Sequence, residues 1–303
     1  MQGTCQQSGA RLHALMRAGA RRWCRLGIAL LLLQFPPGHA QSGGTPASDD
    51  NLGHPTRIVT AVRDRYTIAG LVTHLEGTKA FKHGIALFPG YPGIMRLRDE
   101  GGEPRFDLRG NFLARSRRHW LDHETLVVVV DAPSDQWGSF TQLFREVPRY
   151  GADVAALLDV IGRQYKVESW TFVGTSEGSV SAFHAARMNP RRAPRTILTA
   201  SLFQATRNGP GLASVAWGEL AGELLWVHHA DDPCSYTAYR DARAYAQKSR
   251  KPLVTVRGGG PGRGAACEAF TAHGFVGVER KTVEAMRSWV KTGTVPADVK
   301  REP

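Results

Sequence analysis

Cysteine is scarce in this chain, with four residues in 303. That scarcity excludes a small disulfide-stapled scaffold, whose core is replaced by several bridges. No metal-ligand spacing such as His-Glu-x-x-His is present, and adjacent His228 and His229 on a strand point to opposite faces, so they make no metal site with Cys234. No internal repeat is visible. The longest apolar run, Leu26 to Phe35, is too short to span a bilayer. The glycine-rich stretch Gly258 to Gly264 lacks the Lys-Ser/Thr ending and the strand-to-helix setting of a phosphate loop, and reads as a flexible loop. Acidic residues are missing altogether from the first forty positions.

What those forty positions do contain is a leader. Arg11, Arg17, Arg21, Arg22 and Arg25 form a basic segment, the apolar run follows, and Gly38-His39-Ala40 has the small-x-small form of a cleavage site. Residues 1–40 are therefore expected to be a secretory signal peptide, with translation starting at Met1 or, for a more ordinary signal, at Met16. Residues 41–56, rich in Gly, Ser, Pro and Asp, read as a flexible leader before a single domain over 57–303. The expected location is periplasmic or secreted, with no membrane span after cleavage. Removal of the leader leaves 34 basic residues against 27 acidic ones, a moderate excess that is not a nucleic-acid signature. The densest basic cluster, Arg115, Arg117, Arg118 and His119, is expected to be the solvated face of a helix near Phe106 to Leu121.

Within the domain, two runs, Arg57 to Val62 and Thr67 to His74, predict an antiparallel strand pair. Buried strands are predicted near 84–89, 125–131, 169–174, 196–202, 224–230 and 252–257, alternating with helices. The clearest helix spans 148–163, where Val154, Leu157, Leu158 and Ile161 share one face. Strand–helix alternation of this kind predicts an α/β fold with a mostly parallel sheet covered on both sides. Only about twenty residues separate the strand ending near Gln204 from the one starting at Leu224, which leaves little or no room for a lid. Any cover is expected from Ile94 to Arg105 or Pro133 to Phe144. In the latter, Trp137, Phe140 and Phe144 either line an apolar site or belong to the core.

The chemistry is concentrated at Gly174-Thr175-Ser176-Glu177-Gly178, which follows an apolar β-prone run and precedes a helical segment. Gly-x-Ser-x-Gly on a strand-to-helix turn is a nucleophile elbow: the turn is too tight for side chains at the flanks, and the serine hydroxyl is left exposed. Serine needs a base and an orienting acid, which follow it in the order Ser, Asp or Glu, His. Asp231-Asp232-Pro233 lies just past a predicted strand and offers the acid. Either aspartate fits, and Asp232, beside the proline, is preferred. His273 is the only histidine downstream and supplies the base. Pro89-Gly90-Tyr91-Pro92-Gly93 follows another buried strand, so the Tyr91 and Glu177 N–H groups are the expected oxyanion donors. Cys234 and Cys267 survive leader removal, each within a few residues of a candidate triad member, and are expected to form a disulfide.

On these residues, and on Gly110-Asn111-Phe112-Leu113-Ala114-Arg115-Ser116-Arg117 and Asp131-Ala132-Pro133-Ser134-Asp135, the chain resembles the α/β-hydrolase superfamily from about Arg57 to Thr294. More narrowly, it resembles a poorly characterised bacterial group within it. The resemblance implies a hydrolase fold and a Ser176–Asp232–His273 triad, and supplies no substrate. Two positions depart from the usual pattern: Pro89 replaces a histidine before the oxyanion glycine, and acidic Glu177 follows the nucleophile. A carboxylate there is expected to disfavour anionic substrates at close range. The expected function is an exported serine hydrolase cleaving a carboxylic ester through an acyl-enzyme, with no cofactor and no metal. Its partner is a small-molecule ester. The alternatives are amide or peptide cleavage by the same residues, or a silent binding protein on a hydrolase fold.

Overall fold

The computed structural model describes residues 52–300. The expected signal peptide, most of the expected flexible leader and the alternative start at Met16 lie outside the described residues.

The strands are β1 (Thr56–Val62), β2 (Thr67–Thr73), β3 (Phe81–Phe88), β4 (Arg98–Glu100), β5 (Glu103–Arg105), β6 (Thr125–Val130), β7 (Val167–Thr175), β8 (Arg195–Thr199), β9 (Glu223–His229), β10 (Leu253–Arg257) and β11 (Asp298–Lys300). Nine of them form one sheet in the order β1-β2-β6-β3-β7-β8-β9-β10-β11. The predicted hairpin is present, with Val62 opposite Thr67 and Thr56 opposite Thr73. β2 runs antiparallel to β6, and every pairing from β6 to β11 is parallel. All six residues of β6 are buried, as a central parallel strand requires. Leu126, Val128 and Val130 face one core, while Val127 and Val129 face the other.

Helices α1 (Phe112–Ser116), α2 (Gln142–Glu146), α3 (Pro148–Tyr165), α4 (Gly178–Met188), α5 (Tyr239–Ser249) and α6 (Glu279–Thr292) cover both faces. α3 buries Val154, Leu157, Leu158 and Ile161 on one face. It starts on Pro148, whose missing N–H costs nothing at a helix start, and stops at Lys166 in the left-handed conformation. α6 buries Val283, Met286, Trp289 and Val290 against the opposite face.

Three expectations need correction. The helix near Phe106 to Leu121 is much shorter. Leu108 takes a positive φ of 58°, Asn111 caps the chain by accepting from the Leu113 N–H, and α1 passes into a 3₁₀ turn over Arg117–Trp120. Its basic residues form a solvated face only in part: Arg118 is exposed, whereas Arg117 is buried beneath Phe106 and Arg115 is mostly covered. Trp137, Phe140 and Phe144 pack in the core or against it. Neither Ile94–Arg105 nor Pro133–Phe144 lines the cavities at Ser176, whose outer walls include residues 111–112, 202–208, 234–236 and 265–269. The segment between β8 and β9 carries one 3₁₀ turn, Trp217–Glu219, and no helical insertion.

Candidate active site

The carboxyl ends of the parallel strands gather the residues singled out by the sequence, as expected where ligands bind in open α/β sheets. Gly90 and Tyr91 follow β3, Ser176 follows β7, Asp232 follows β9, and His273 lies in the connection from β10 to α6. Ser176, His273, Gly90 and Tyr91 line one cavity. Ser176 and Tyr91 also border a second, walled by Leu202, Thr206, Arg207, Asn208 and Tyr236.

Ser176 sits at φ 52°, a left-handed conformation that costs a non-glycine residue roughly 1–3 kcal/mol. Its backbone is fixed on both sides. The N–H donates to Thr199 O at 3.1 Å, and its carbonyl accepts from Ser179 N at 2.9 Å and Ser179 Oγ at 2.5 Å. The two flanking glycines have steric reasons to be there. A Cβ on Gly174 would strike the Gly178 carbonyl, and one on Gly178 would strike the carbonyls of Phe88 and Pro89. A Cβ on Gly90 would stand 3.1 Å from Ser176 Cβ, so the oxyanion loop lies directly against the serine.

His273 is buried, and its Nδ1 lies 3.1 Å from Asp232 Oδ2. The Asp232 side chain is fully covered, whereas Asp231 is exposed and does not meet His273. Asp232 is held from two further directions: Cys234 N donates to Oδ1 at 2.9 Å, and Thr237 Oγ1 donates to Oδ2 at 2.8 Å. Thr237 Oγ1 also lies 3.1 Å from His273 Nδ1, so the hydroxyl touches both groups. Among the described residues no hydrogen bond joins Ser176 Oγ to His273, a contact that often tightens only with substrate. Neither the Tyr91 N–H nor the Glu177 N–H is taken by an internal acceptor among the described residues.

The fold is similar to that of solved structures. Est1E from Butyrivibrio proteoclasticus is similar at 13% identity and TM-score 0.52, over 78% of this chain and 99% of that one. The same enzyme with ferulic acid bound matches at 12% identity and TM-score 0.51, over 77% and 100%. A predicted CIB-like hydrolase from Thermoplasma acidophilum is similar at 16% identity and TM-score 0.50, over 78% and 100%. The chain has the α/β-hydrolase fold. No protein-family model matches it, and neither does any curated protein.

Several residues that buttress this α/β-hydrolase site carry no local sequence signal. The Glu177 carboxylate does not face the cavity as a bare charge: its Oε1 lies 3.1 Å from Arg145 Nη1, and both side chains are buried. The carboxylate thus has a cationic partner of its own beside the nucleophile. Burial pushes the Arg145 pKa down, opposed by the Glu177 carboxylate. Arg115 Nη2 donates to Gly274 O at 2.6 Å, Nη1 donates to Gly110 O at 2.6 Å, and Nε and Nη2 both reach Glu279. It thus ties α1 to the turn that carries His273. Asp131, at the end of β6, accepts from the N–H groups of Met95, Leu97 and Ala132. Burial nevertheless pushes its pKa up to about 6.

Behind the acid, His228 Nε2 lies 3.0 Å from both Ser201 N and Ser201 Oγ, and desolvation pushes its pKa down to about 3. It therefore accepts from the Ser201 N–H as a neutral ring. Cys234 and Cys267 are bonded, with Cα atoms 4.6 Å apart. The bridge joins the segment holding Asp232 to the segment that walls both cavities.

Proposed function

We propose that this protein is an exported serine hydrolase that cleaves a carboxylic ester through an acyl-enzyme. Ser176 Oγ attacks the carbonyl carbon while His273 Nε2 takes its proton. Asp232 holds Nδ1–H, fixing the tautomer and stabilising the imidazolium. The Tyr91 and Glu177 N–H groups receive the developing oxyanion. His273 then returns the proton to the departing alcohol, and water repeats the sequence to release the acid.

The observation that carries the reading is convergence. A serine in a strained turn, a histidine paired to a buried carboxylate, and Tyr91 with its unused N–H line one cavity, and Glu177, whose N–H is also unused, borders the adjoining cavity that shares Ser176. Export is supported by the leader composition and by the disulfide, which suits an oxidising compartment. No helix among the described residues is long and apolar enough to cross a membrane.

The test is labelling with a fluorophosphonate, followed by a panel of p-nitrophenyl esters and matched anilides. Labelling at Ser176 with ester turnover is expected. Faster turnover of the anilides would shift the assignment to an amidase. Pro89 and acidic Glu177, the two departures from the usual pattern beside the serine, favour a second reading, a silent binding module on the same fold. Folded protein that fails to label would select it.

A further inference from the structure

One buried cation has no part in the proton relay. Arg145, in the short helix α2, has a side chain with no exposed surface. A guanidinium is buried only where partners replace its water. Here the partners belong to the two segments that present the oxyanion N–H groups. Nη1 donates to the Glu177 carbonyl at 3.1 Å and faces its carboxylate at the same distance. Nη2 donates to the Pro92 carbonyl at 3.0 Å and to the Phe140 carbonyl at 3.1 Å. The guanidinium carbon lies 4.1 Å from the Phe140 ring centroid, so the group is also held by stacking. A Cβ on Gly93 would stand 3.1 Å from Nη2, so the loop after β3 packs directly on this side chain.

α2 is itself anchored to the wall of the second cavity. Gln142 N donates to Asn208 O at 3.0 Å, and Gln142 Oε1 accepts from Gly211 N at 2.7 Å. Asn208 Nδ2 in turn reaches Glu177 Oε2 at 3.4 Å.

We propose that Arg145 is a positioning residue that sets the spacing between the two oxyanion donors, clamping the carbonyls of Pro92 and Glu177 in one rigid fork. The proposal rests on the serine-hydrolase reading above. The Pro92 carbonyl lies one residue beyond the Tyr91 N–H, and the Glu177 carbonyl belongs to the same residue as the second donor. Fixing the carbonyls therefore fixes where both N–H groups aim. The planar guanidinium aims two separate nitrogens at different carbonyls in a fixed geometry, which the single compact ammonium of lysine does not reproduce. The same contact neutralises Glu177, whose bare carboxylate would oppose the negative charge that develops on the substrate oxygen.

The test compares wild type, Arg145→Lys, Arg145→Met and the double variant Arg145→Met/Glu177→Gln. Sites are counted by fluorophosphonate labelling carried to completion, and kcat per labelled site, KM and Tm are measured with one p-nitrophenyl ester. The double variant leaves no unpaired buried charge, so it keeps the test decisive if Arg145→Met fails to fold. The expected fall in kcat per labelled site is about tenfold for lysine and about a hundredfold for the double variant, with KM within about threefold, because a donor displaced by an ångström loses much of its stabilisation of the transition state. A merely structural role would lower Tm and leave kcat per labelled site unchanged in the double variant, and that result would overturn the proposal. Wild type that neither labels nor cleaves any ester overturns the hydrolase reading, and the role of Arg145 with it. Wild type that is active beside fully active variants overturns the role of Arg145 alone.

Discussion

At the scale of single residues, Thr237 separates two effects that usually travel together. Its hydroxyl donates to Asp232 and touches His273 Nδ1 while the methyl packs in the core. Thr237→Val keeps the shape and removes these contacts, together with a longer one to Cys234 O. We expect kcat to fall about tenfold and stability by about 1 kcal/mol, the net value of a buried hydrogen bond, as read by steady-state kinetics and urea unfolding. Asp232→Asn should cost at least a hundredfold in kcat/KM, because an amide nitrogen replaces an acceptor surrounded by donors. Asp231→Asn should stay near wild type, because Asp231 is exposed and away from the histidine. The reverse ranking in the same assay would reassign the acid. Ser176→Ala should abolish turnover and leave Tm within a degree or two, since only a hydroxyl is lost. Ser176, Asp232 and His273 were legible because chain order and flanking glycine and proline restrict them locally. Thr237, Arg145 and Arg115 were not. Arg145 meets Glu177 across 32 positions and Arg115 meets Gly274 across 159, so no window of sequence holds both partners.

At the scale of elements, the pattern-based reading was best where periodicity was long. α3 and the six predicted parallel strands have clear apolar signals and appear close to their predicted places. β11 was not foreseen: three residues, Asp298–Lys300, carry no period to detect. The segment around α1 was misread because its arginines look solvent-facing in sequence. Arg117 instead donates to Ala114 O and Thr73 Oγ1 inside the protein. The Cys234–Cys267 bridge joins two elements rather than two residues. Across a separation of 33 positions it should stabilise by roughly 3–4 kcal/mol on the loop-entropy account. Because Cys234 N also holds Asp232 Oδ1, reduction should lower activity at reductant and temperature settings where near-UV circular dichroism is still native. Activity lost only together with the global signal would mean that the bridge acts on the whole chain and not on the site.

At the scale of the whole molecule, buried titratable groups shape the response to acid. His228 and His184 are held neutral by burial, with pKa values pushed down to about 3 and about 4, whereas that of Asp131 is pushed up to about 6. Between pH 6 and 4 the unfolded chain binds protons on both histidines, and the folded chain binds one on Asp131. Burial also lowers the pKa values of His83 and His119, so unfolding takes up protons on balance and stability falls on acidification through that window. Urea unfolding at pH 7, 6, 5 and 4 measures it, and stability that rises toward pH 4 would contradict it. His184→Gln, remote from the cavity, should make the fall shallower. The bridge between Cys234 and Cys267 also decides what a protease leaves behind. Residues 261–268 are exposed, and Arg263 among them offers a trypsin-type cut. A chain cut there stays one covalent molecule, because the two fragments remain joined outside the peptide backbone. The nicked form should migrate as a single species without reductant and as two with it, and its acid and base should remain tethered after the main chain between them is broken.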